Sequence, residues 1–314
     1  MHAVRCSVSF PDNGRHAILL IISDLRLLFY WESLYYRKGY FRGQNMNSNY
    51  DNRPIGIFDS GLGGLTIARA IQEALPKESV IYLGDTARVP YGDKSVDAII
   101  SYAHDDVNFM LSKGVKLIVA ACNTVSAVAL DAIHKSFPDA PVIGVIDSGV
   151  KAALSAEVRS ITVIGTRATI NSDAYRRAIH AQDHSLKVDS IACPLLVPLA
   201  EEGFTAGQVL EGVFDFYLKQ YRNAPPDALL LGCTHYPLFK TALDEYFNGR
   251  VHLIDSAKAC AQAVLEYLTE NNKTAQPDNT PHHRYFVSDL AAEFNEHATR
   301  FLGKLPNRVE KIDL

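Results

Sequence analysis

Residues 116–125, KLIVAACNTV, and residues 227–236, DALLLGCTHY, decide the fold of this 314-residue chain. In each stretch, a short apolar run typical of a buried parallel strand ends in a cysteine, and polar side chains follow at once. Ligands of open α/β sheets bind at the carboxyl ends of the strands. The repeated pattern therefore predicts that Cys122 and Cys233 approach one small molecule, with thiols able to serve as acid and base on its two faces.

Apolar runs of strand length alternate with helical segments from Pro54 onward. Such alternation predicts parallel sheets covered by helices on both faces. Polar turns follow strands at residues 58–61, 121–124, 164–167 and 232–235. The sequence predicts strands at 55–58, 79–84, 116–121, 142–146, 160–165, 187–191, 227–232, 251–254 and 284–288. It predicts helices at 62–75, 95–113, 124–135, 169–181, 206–221, 238–247, 257–270 and 290–302, and a further helix that begins near residues 147–149.

The order of these elements repeats, with one of the two cysteines in each copy. We therefore expect an α/β fold of two pseudo-symmetric domains, each a mostly parallel sheet covered by helices on both faces, with the active site in the cleft between them. Residues 53–147 and 257–314 are expected to form the first domain, and residues 148–256 the second. Residues 1–52 lack the alternation and are interpreted as an N-terminal extension, disordered or partly helical around residues 17–36.

Charge and composition exclude several classes of protein. The net charge is −4, residues 1–45 carry six Arg/Lys against three Asp/Glu, and the remainder is acidic overall, with no basic stripe. Nucleic acid is therefore excluded as a partner. Residues 17–31 form the most membrane-like segment, but it is short and holds Asp24 and Arg26 at its centre, so no membrane association is expected.

The five cysteines do not indicate a disulfide framework, because their number is odd and no Cys-x-x-Cys pattern occurs. Thiols that stay reduced indicate the cytoplasm. Cys6, Cys193 and Cys260 are interpreted as small buried hydrophobic residues. Cys122 and Cys233 differ from these three because each ends a strand beside hydrogen-bonding residues.

A glycine-rich turn at residues 56–66, GIFDSGLGGLT, places Asp59 and Ser60 at a strand end. Free backbone N–H groups at the start of a helix could seat a carboxylate or phosphate there. The spacing matches neither the dinucleotide fingerprint nor a P-loop. A tight turn that needs glycine for its geometry explains the same residues equally well.

A polar loop at residues 84–94, GDTARVPYGDK, follows the next strand and carries Arg88, Tyr91 and Gly92. Loops in this position commonly close over ligands. A surface connection that caps the helix beginning at Ser95 is an equally good interpretation.

His235 lies two residues after Cys233, so an extended chain would point both side chains to the same side. We favour a histidine that orients or deprotonates the thiol over a purely structural one. A Cys-x-His zinc pair would need further ligands that the neighbouring sequence lacks, so no metal is expected. Glu201 could support the site, but its position alone favours a solvated loop carboxylate.

Together these motifs resemble the cofactor-independent aspartate/glutamate racemase family. The resemblance spans residues 53–303 and departs from the family pattern at Ala200, where valine is frequent. Its matching segments are IFDSGLGG (57–64), GDTARVPYG (84–92), AACNTVSA (120–127), PLAEEG (198–203), LGCTHYPL (231–238) and the tail from YFVSD (285–289) to FLG (301–303).

The resemblance implies a two-base racemisation of glutamate that supplies D-glutamate for peptidoglycan, without a cofactor. It also implies a homodimer. A separate hypothesis is that the N-terminal extension binds a cell-wall precursor as an activator. Cys122 and Cys233 would donate and accept the proton, assisted by Asp59, Glu201 and His235. The residues implied to hold the substrate are Asp59, Ser60, Tyr91, Gly92, Asn123, Thr124, Thr234 and His235.

Three other functions remain open at this point. A racemase of aspartate or another small acid would use the same scaffold, although the segments CTHYP and VPYG favour glutamate. A non-catalytic amino-acid-binding regulator is the second alternative, and the intact thiols argue against it. A hydrolase using Cys233 and His235 is the third, but it leaves Cys122 without a role.

Overall fold

The computed structural model describes residues 5–9, 16–20, 50–290, 294–304, 306 and 308–314. The chain divides into two units, Met1–Ser48 and Asn49–Leu314. In the first unit, strands β1 (Arg5–Ser9) and β2 (His16–Leu20) pair in antiparallel register. Of the segment predicted to be partly helical, residues 17–20 therefore belong to a strand, and residues 21–36 lie outside the described residues.

The second unit contains two parallel sheets, so the predicted α/β fold is confirmed. The six-stranded sheet has the spatial order β12-β11-β4-β3-β5-β6, and the four-stranded sheet has the order β10-β9-β7-β8. The strands are β3 (Ile55–Asp59), β4 (Val80–Gly84), β5 (Leu117–Ala120), β6 (Val142–Gly144), β7 (Ser160–Gly165), β8 (Lys187–Ala192), β9 (Ala228–Gly232), β10 (His252–Asp255), β11 (His283–Val287) and β12 (Val309–Lys311).

Helices connect successive strands, as parallel pairing requires. They are α1 (Leu65–Ala74), α2 (Val96–Ser112), α3 (Asn123–Val128), α4 (Leu130–Ser136), α5 (Val145–Leu154), α6 (Arg167–Asn171), α7 (Ala174–Gln182), α8 (Leu196–Glu201), α9 (Gln208–Leu218), α10 (Lys240–Tyr246), α11 (Ala257–Glu270) and α12 (Phe294–Leu302). Short 3₁₀ turns lie at Tyr91–Asp93, Lys219–Tyr221 and Tyr236–Phe239. Among the described residues, no helix combines the length and apolarity needed to cross a membrane.

Both faces of the six-stranded sheet are buried, which explains the uninterrupted apolar runs in the sequence. In β3, Ile55 and Ile57 pack into a cluster that includes Leu65 of α1. Phe58 points to the opposite face and packs with Ile99 of α2. Every residue of β3 is consequently buried, and its carboxyl end is held rigidly between two layers of helices.

The sequence-based boundaries differ from the structure at a few places. The helix predicted at 124–135 is two helices that meet at Ala129, and the one predicted at 169–181 is divided by Asp173, whose φ is +59°. Helix α8 and strand β12 were not predicted. The chain from Asn49 to Leu314 forms one compact unit. Its division into two domains stays a prediction.

A buried ion pair fastens the beginning of the second unit. The ammonium of Lys116 lies 2.5 Å from Oε2 of Glu78, and both side chains are almost fully buried. Lys116 Nζ also donates to the backbone carbonyls of Asp51 at 2.6 Å and Lys273 at 2.7 Å. The other carboxylate oxygen of Glu78 accepts the N–H of Ala275 at 2.7 Å. Lys116 thus holds together four segments that are distant in the sequence.

We expect Lys116→Met to lower the free energy of unfolding by about 3–5 kcal/mol, because it leaves a carboxylate buried without its partner. Urea unfolding measures this change. Lys151→Met is the matched control, since the Lys151–Glu266 pair is exposed and such pairs contribute about 0–1 kcal/mol. Equal losses in the two variants would contradict the importance assigned to burial.

Candidate active site

Cys122 and Cys233 line one cavity of about 350 Å³. Cys122 lies two residues after the end of β5 and directly before the first residue of α3, and Cys233 directly follows β9. The two strands belong to different sheets, so each sheet contributes one thiol. Both cysteines are buried and unpaired.

Most of the residues predicted for the site lie around this cavity. The exception is Asp59, which is not part of the lining. The predicted residues that line the cavity are Ser60, Tyr91, Gly92, Cys122, Asn123, Thr124, Glu201, Cys233, Thr234 and His235.

On the Cys233 side, the thiol is joined to a histidine–carboxylate pair. His235 Nδ1 lies 3.8 Å from Cys233 Sγ, and Nε2 lies 3.0 Å from Oε1 of Glu201. Burial acts to lower the pKa of His235, but the hydrogen bonds to Cys233 and Glu201 outweigh it and raise that pKa to about 10. Burial likewise acts to raise the pKa of Glu201, and the hydrogen bond and charge of His235 reverse this and lower it. The pair therefore carries opposite charges at neutral pH.

Glu201 is not the solvated loop carboxylate that its position favoured. It is the last residue of α8, a helix that the sequence analysis missed. Pro198 lies in the first turn of α8, where an absent N–H breaks no helical hydrogen bond. The helix directs Glu201 toward His235, a contact between residues that are 34 positions apart in the sequence.

On the Cys122 side, the partner is a hydroxyl group. Cys122 Sγ donates to Ser60 Oγ at 3.5 Å. Burial and then the negative charge of Asp59 raise the pKa of Cys122 to about 12, although the hydrogen bond to Ser60 opposes them. Cys122 is therefore a neutral thiol at neutral pH, whereas Cys233 has an imidazolium beside it.

Asp59 lies behind the cavity wall and joins the two sheets. Its Oδ2 accepts the N–H of Gly61 at 3.0 Å, and its Oδ1 accepts the hydroxyl of Thr234 at 3.4 Å. Burial raises the pKa of Asp59, even though the charge of His235 opposes that shift. The carboxylate thus connects the turn after β3 with the turn after β9.

The glycines of this turn are needed for close packing. A Cβ atom on Gly63 would lie 2.3 Å from Thr234 Oγ1 and 2.5 Å from His235 Nδ1. A Cβ atom on Gly64 would lie 2.5 Å from the Cβ of Asp59. Of the two interpretations of the glycine-rich turn, the tight turn therefore accounts for Gly63 and Gly64.

Asn123 supplies a free donor at the cavity. Its Oδ1 accepts the hydroxyl of Tyr175 at 2.6 Å, which fixes the orientation of the amide. Its Nδ2 is buried and has no partner among the described residues. A buried donor without a partner is costly, so this group is suited to a ligand that enters the cavity.

Residues 89–93 of the loop at residues 84–94 line the cavity. The hydroxyl of Tyr91 bonds instead to the buried carboxylates of Asp85 and Asp106. A Cβ atom on Gly92 would lie 2.6 Å from the Cβ of Thr166, so the loop approaches the second sheet closely. The cavity is thus lined by the body of this loop, while the Tyr91 hydroxyl anchors it from behind.

Thr166 and Arg167 are among the residues of the cavity that were missed in the sequence. Thr166 Oγ1 lies 2.9 Å from Thr124 Oγ1, and Arg167 forms a 2.8 Å ion pair with Asp93. Both line the cavity and follow β7 in the polar turn at residues 164–167. The signal was the same strand-end position that identified the two cysteines. Within the part of the chain that the structure describes, no group of three or more His, Cys, Asp or Glu is arranged to hold a metal ion.

Comparisons with known proteins identify the family of the chain. A model of the family described as Asp/Glu/Hydantoin racemase matches residues 63–264. The glutamate racemase of Syntrophus aciditrophicus is 45% identical over 272 residues, which cover 86% of this chain and 100% of the relative. The solved glutamate racemase of Francisella tularensis, in complex with D-glutamate, is 39% identical with a TM-score of 0.78, covering 84% of this chain and 98% of that chain.

A solved glutamate racemase of Escherichia coli, in complex with L-glutamate and the activator UDP-MurNAc-ala, is 27% identical with a TM-score of 0.67. The match covers 83% of this chain and 98% of that chain. The family expected from the sequence motifs is thus confirmed: the chain belongs to the Asp/Glu/Hydantoin racemase family.

Proposed function

We propose that the protein interconverts L- and D-glutamate by moving protons at Cα between Cys122 and Cys233. The observation that carries this proposal is the position of two buried thiols on one cavity, each delivered by a strand of a different sheet. The chain is 45% identical to a glutamate racemase over 86% of its length, which supports glutamate as the substrate. The relatives hold D-glutamate in one solved structure and L-glutamate in another.

The reaction needs one base and one acid on opposite faces of the α-carbon. A thiolate removes the α-proton, and the electron pair of the broken C–H bond delocalises into the substrate carboxylate. The second thiol then donates its proton to the other face of the planar carbon and becomes a thiolate. The reverse reaction exchanges the two roles, so both groups must work as acid and as base.

The surroundings of the thiols assign a starting state. Cys233 acts first as the thiolate, because the imidazolium of His235 lies beside it and Glu201 holds that positive charge in place. Cys122 acts first as the acid, since burial and the charge of Asp59 keep its pKa near 12. Cys233 is thus assigned the role of the base and Cys122 that of the acid.

Charge that develops on the substrate carboxylate needs donors that are already oriented. Asn123 Nδ2 is the clearest candidate, because it is buried at the cavity and unpaired among the described residues. The hydroxyls of Ser60, Thr124 and Thr234 line the same space. Donors fixed in a buried site stabilise a developing oxyanion more strongly than water does.

The other functions suggested by the sequence fit these contacts less well. A hydrolase that uses Cys233 and His235 gives no reason for a second buried thiol on the same cavity. A regulator that only binds an amino acid gives no reason for the His235–Glu201 pair beside a thiol. Aspartate is the remaining alternative substrate. Relatives that are 45% and 44% identical to this chain are glutamate racemases, which favours glutamate.

The wider role is also part of the proposal. D-glutamate made by this site would enter peptidoglycan, and reduced catalytic thiols are suited to the cytoplasm. We further propose that the protein forms a homodimer and that no cofactor takes part. The relative from Escherichia coli was solved with UDP-MurNAc-ala as activator, and we extend activation by a cell-wall precursor of this kind to the present chain.

Replacing either thiol tests the two-base assignment. We expect Cys122→Ser and Cys233→Ser each to reduce racemisation in both directions by about 10²- to 10⁴-fold, the usual contribution of a general acid or base. Polarimetry gives the rates, and incorporation of deuterium at Cα from D₂O shows which half-reaction survives. Cys260→Ala is the matched control, because that thiol is buried away from the cavity. Fast two-way turnover in either serine variant would refute the assignment.

The pH dependence tests the His235–Glu201 pair. The raised pKa of His235 means that the imidazolium persists at neutral pH and is lost as the pH rises through about 10. We expect kcat/KM to decline over that range. Glu201→Gln removes a hydrogen bond and charge that raise this pKa, so the decline should begin about one pH unit or more lower. Exposed Glu202 provides the control Glu202→Gln, and a profile unchanged by Glu201→Gln would contradict the pairing.

Activation is tested by adding UDP-MurNAc-ala to the purified full chain. We expect turnover to increase in proportion to the bound precursor, since an activator must bind the competent state more tightly than the other. Initial rates over a range of precursor concentrations measure the effect. Saturable binding without any change in rate would exclude activation while leaving the racemase assignment intact.

A further inference from the structure

The last helix, α12, touches the His235–Glu201 pair from the side away from the cavity. Arg300 Nη1 donates to the backbone carbonyl of Glu201 at 2.5 Å. The ring of Phe301 lies 5.2 Å from the ring of His235, at an interplanar angle of 78°. We propose that Arg300 and Phe301 are positioning residues that hold Glu201 and His235 at the distances needed for the Cys233 half-reaction. This inference rests on the proposed racemase function.

Arg300 completes the end of α8. The last carbonyls of a helix have no partner within the helix, and a cation at that end is favourable. Gly203 has φ of +79°, and a Cβ atom there would lie 2.8 Å from Arg300 Cζ. The backbone is therefore shaped to admit the guanidinium. Glu296 holds the other side of Arg300 in a 2.5 Å ion pair four residues earlier on α12.

Phe301 restricts the imidazole of His235. Its side chain is buried, and the two rings meet edge to face, which is the favourable geometry for aromatic pairs. His235 must reach Cys233 with one ring nitrogen and Glu201 with the other. A ring that could turn would lose one of these two contacts, so the Phe301 contact favours the orientation that keeps both.

Helix α12 packs with α1, the helix that follows the glycine-rich turn. Phe294, Ala298 and Leu302 are buried in the same apolar cluster as Leu65 of α1. Helix α1 begins directly after the glycine turn that packs against Thr234 and His235. The support for the Cys233 side thus runs from the turn through α1 to α12 and back to Glu201.

Neither Arg300 nor Phe301 lines the cavity, so their effect should fall on the chemical step. The ionisable residues of α12 near the pair are His297, whose charge contributes to the lowered pKa of Glu201, and Glu296, which binds Arg300. A displacement of about 1 Å in a catalytic group can cost roughly 100-fold in rate. Loss of the Arg300 contact should therefore lower kcat and leave KM close to its original value.

The test compares Arg300→Ala, Arg300→Lys and Phe301→Leu with the unaltered full chain. We expect Arg300→Ala to reduce kcat about tenfold or more, and the alkaline decline of kcat/KM to move to lower pH as the imidazolium is less well held. Arg300→Lys should recover part of both, because a lysine can still donate to the Glu201 carbonyl. Phe301→Leu should lower kcat while keeping an apolar side chain in the core.

Arg222→Ala is the matched control, because Arg222 is an exposed arginine outside α1 and α12 with its own ion pair to Asp215. Thermal unfolding shows whether each variant is folded at the assay temperature. A folded Arg300→Ala variant with unchanged kcat and pH profile would overturn the inference, as would an equal loss in Arg222→Ala. Activity that survives in the cysteine variants would instead overturn the proposed function.

Discussion

The site depends on the close contact between the turn after β3 and the turn after β9. Gly63 lies directly against Thr234 and His235, with no room for a Cβ atom. Asp59 reinforces this contact by accepting a hydrogen bond from the hydroxyl of Thr234. The two turns come from different sheets, so their contact brings the carboxyl ends of both sheets to one place. Cys122 follows the strand next to β3, and it therefore faces the same cavity as Cys233.

The two thiols of this cavity are chemically unequal because their surroundings differ. Cys233 lies beside a buried imidazolium whose charge is balanced by Glu201. Cys122 has a hydroxyl partner and stands near the buried carboxylate of Asp59, which opposes a second negative charge. One thiol is thus prepared to accept a proton and the other to donate one. If the two thiols had identical surroundings, neither would be favoured as the base and neither as the acid.

The sequence predicted the parts of this arrangement that are local. Continuous apolar runs identified the strands because both sheet faces are buried, and polar residues at strand ends identified Cys122 and Cys233. Contacts between distant residues were not predictable in this way. The pairing of Glu201 with His235 requires helix α8, and the hydroxyl of Tyr91 is taken up by carboxylates behind its loop.

The supports of the two thiols differ in how far they extend through the chain. Ser60, the partner of Cys122, follows β3, and β3 pairs directly with β5, the strand that precedes Cys122. The support of Cys233 instead passes through His235 to Glu201 and, by the contacts of Arg300 and Phe301, to the last helix. A displacement of α12 can therefore change the surroundings of Cys233, although neither Arg300 nor Phe301 lines the cavity. Because racemisation needs both thiols, such a disturbance would limit turnover in both directions.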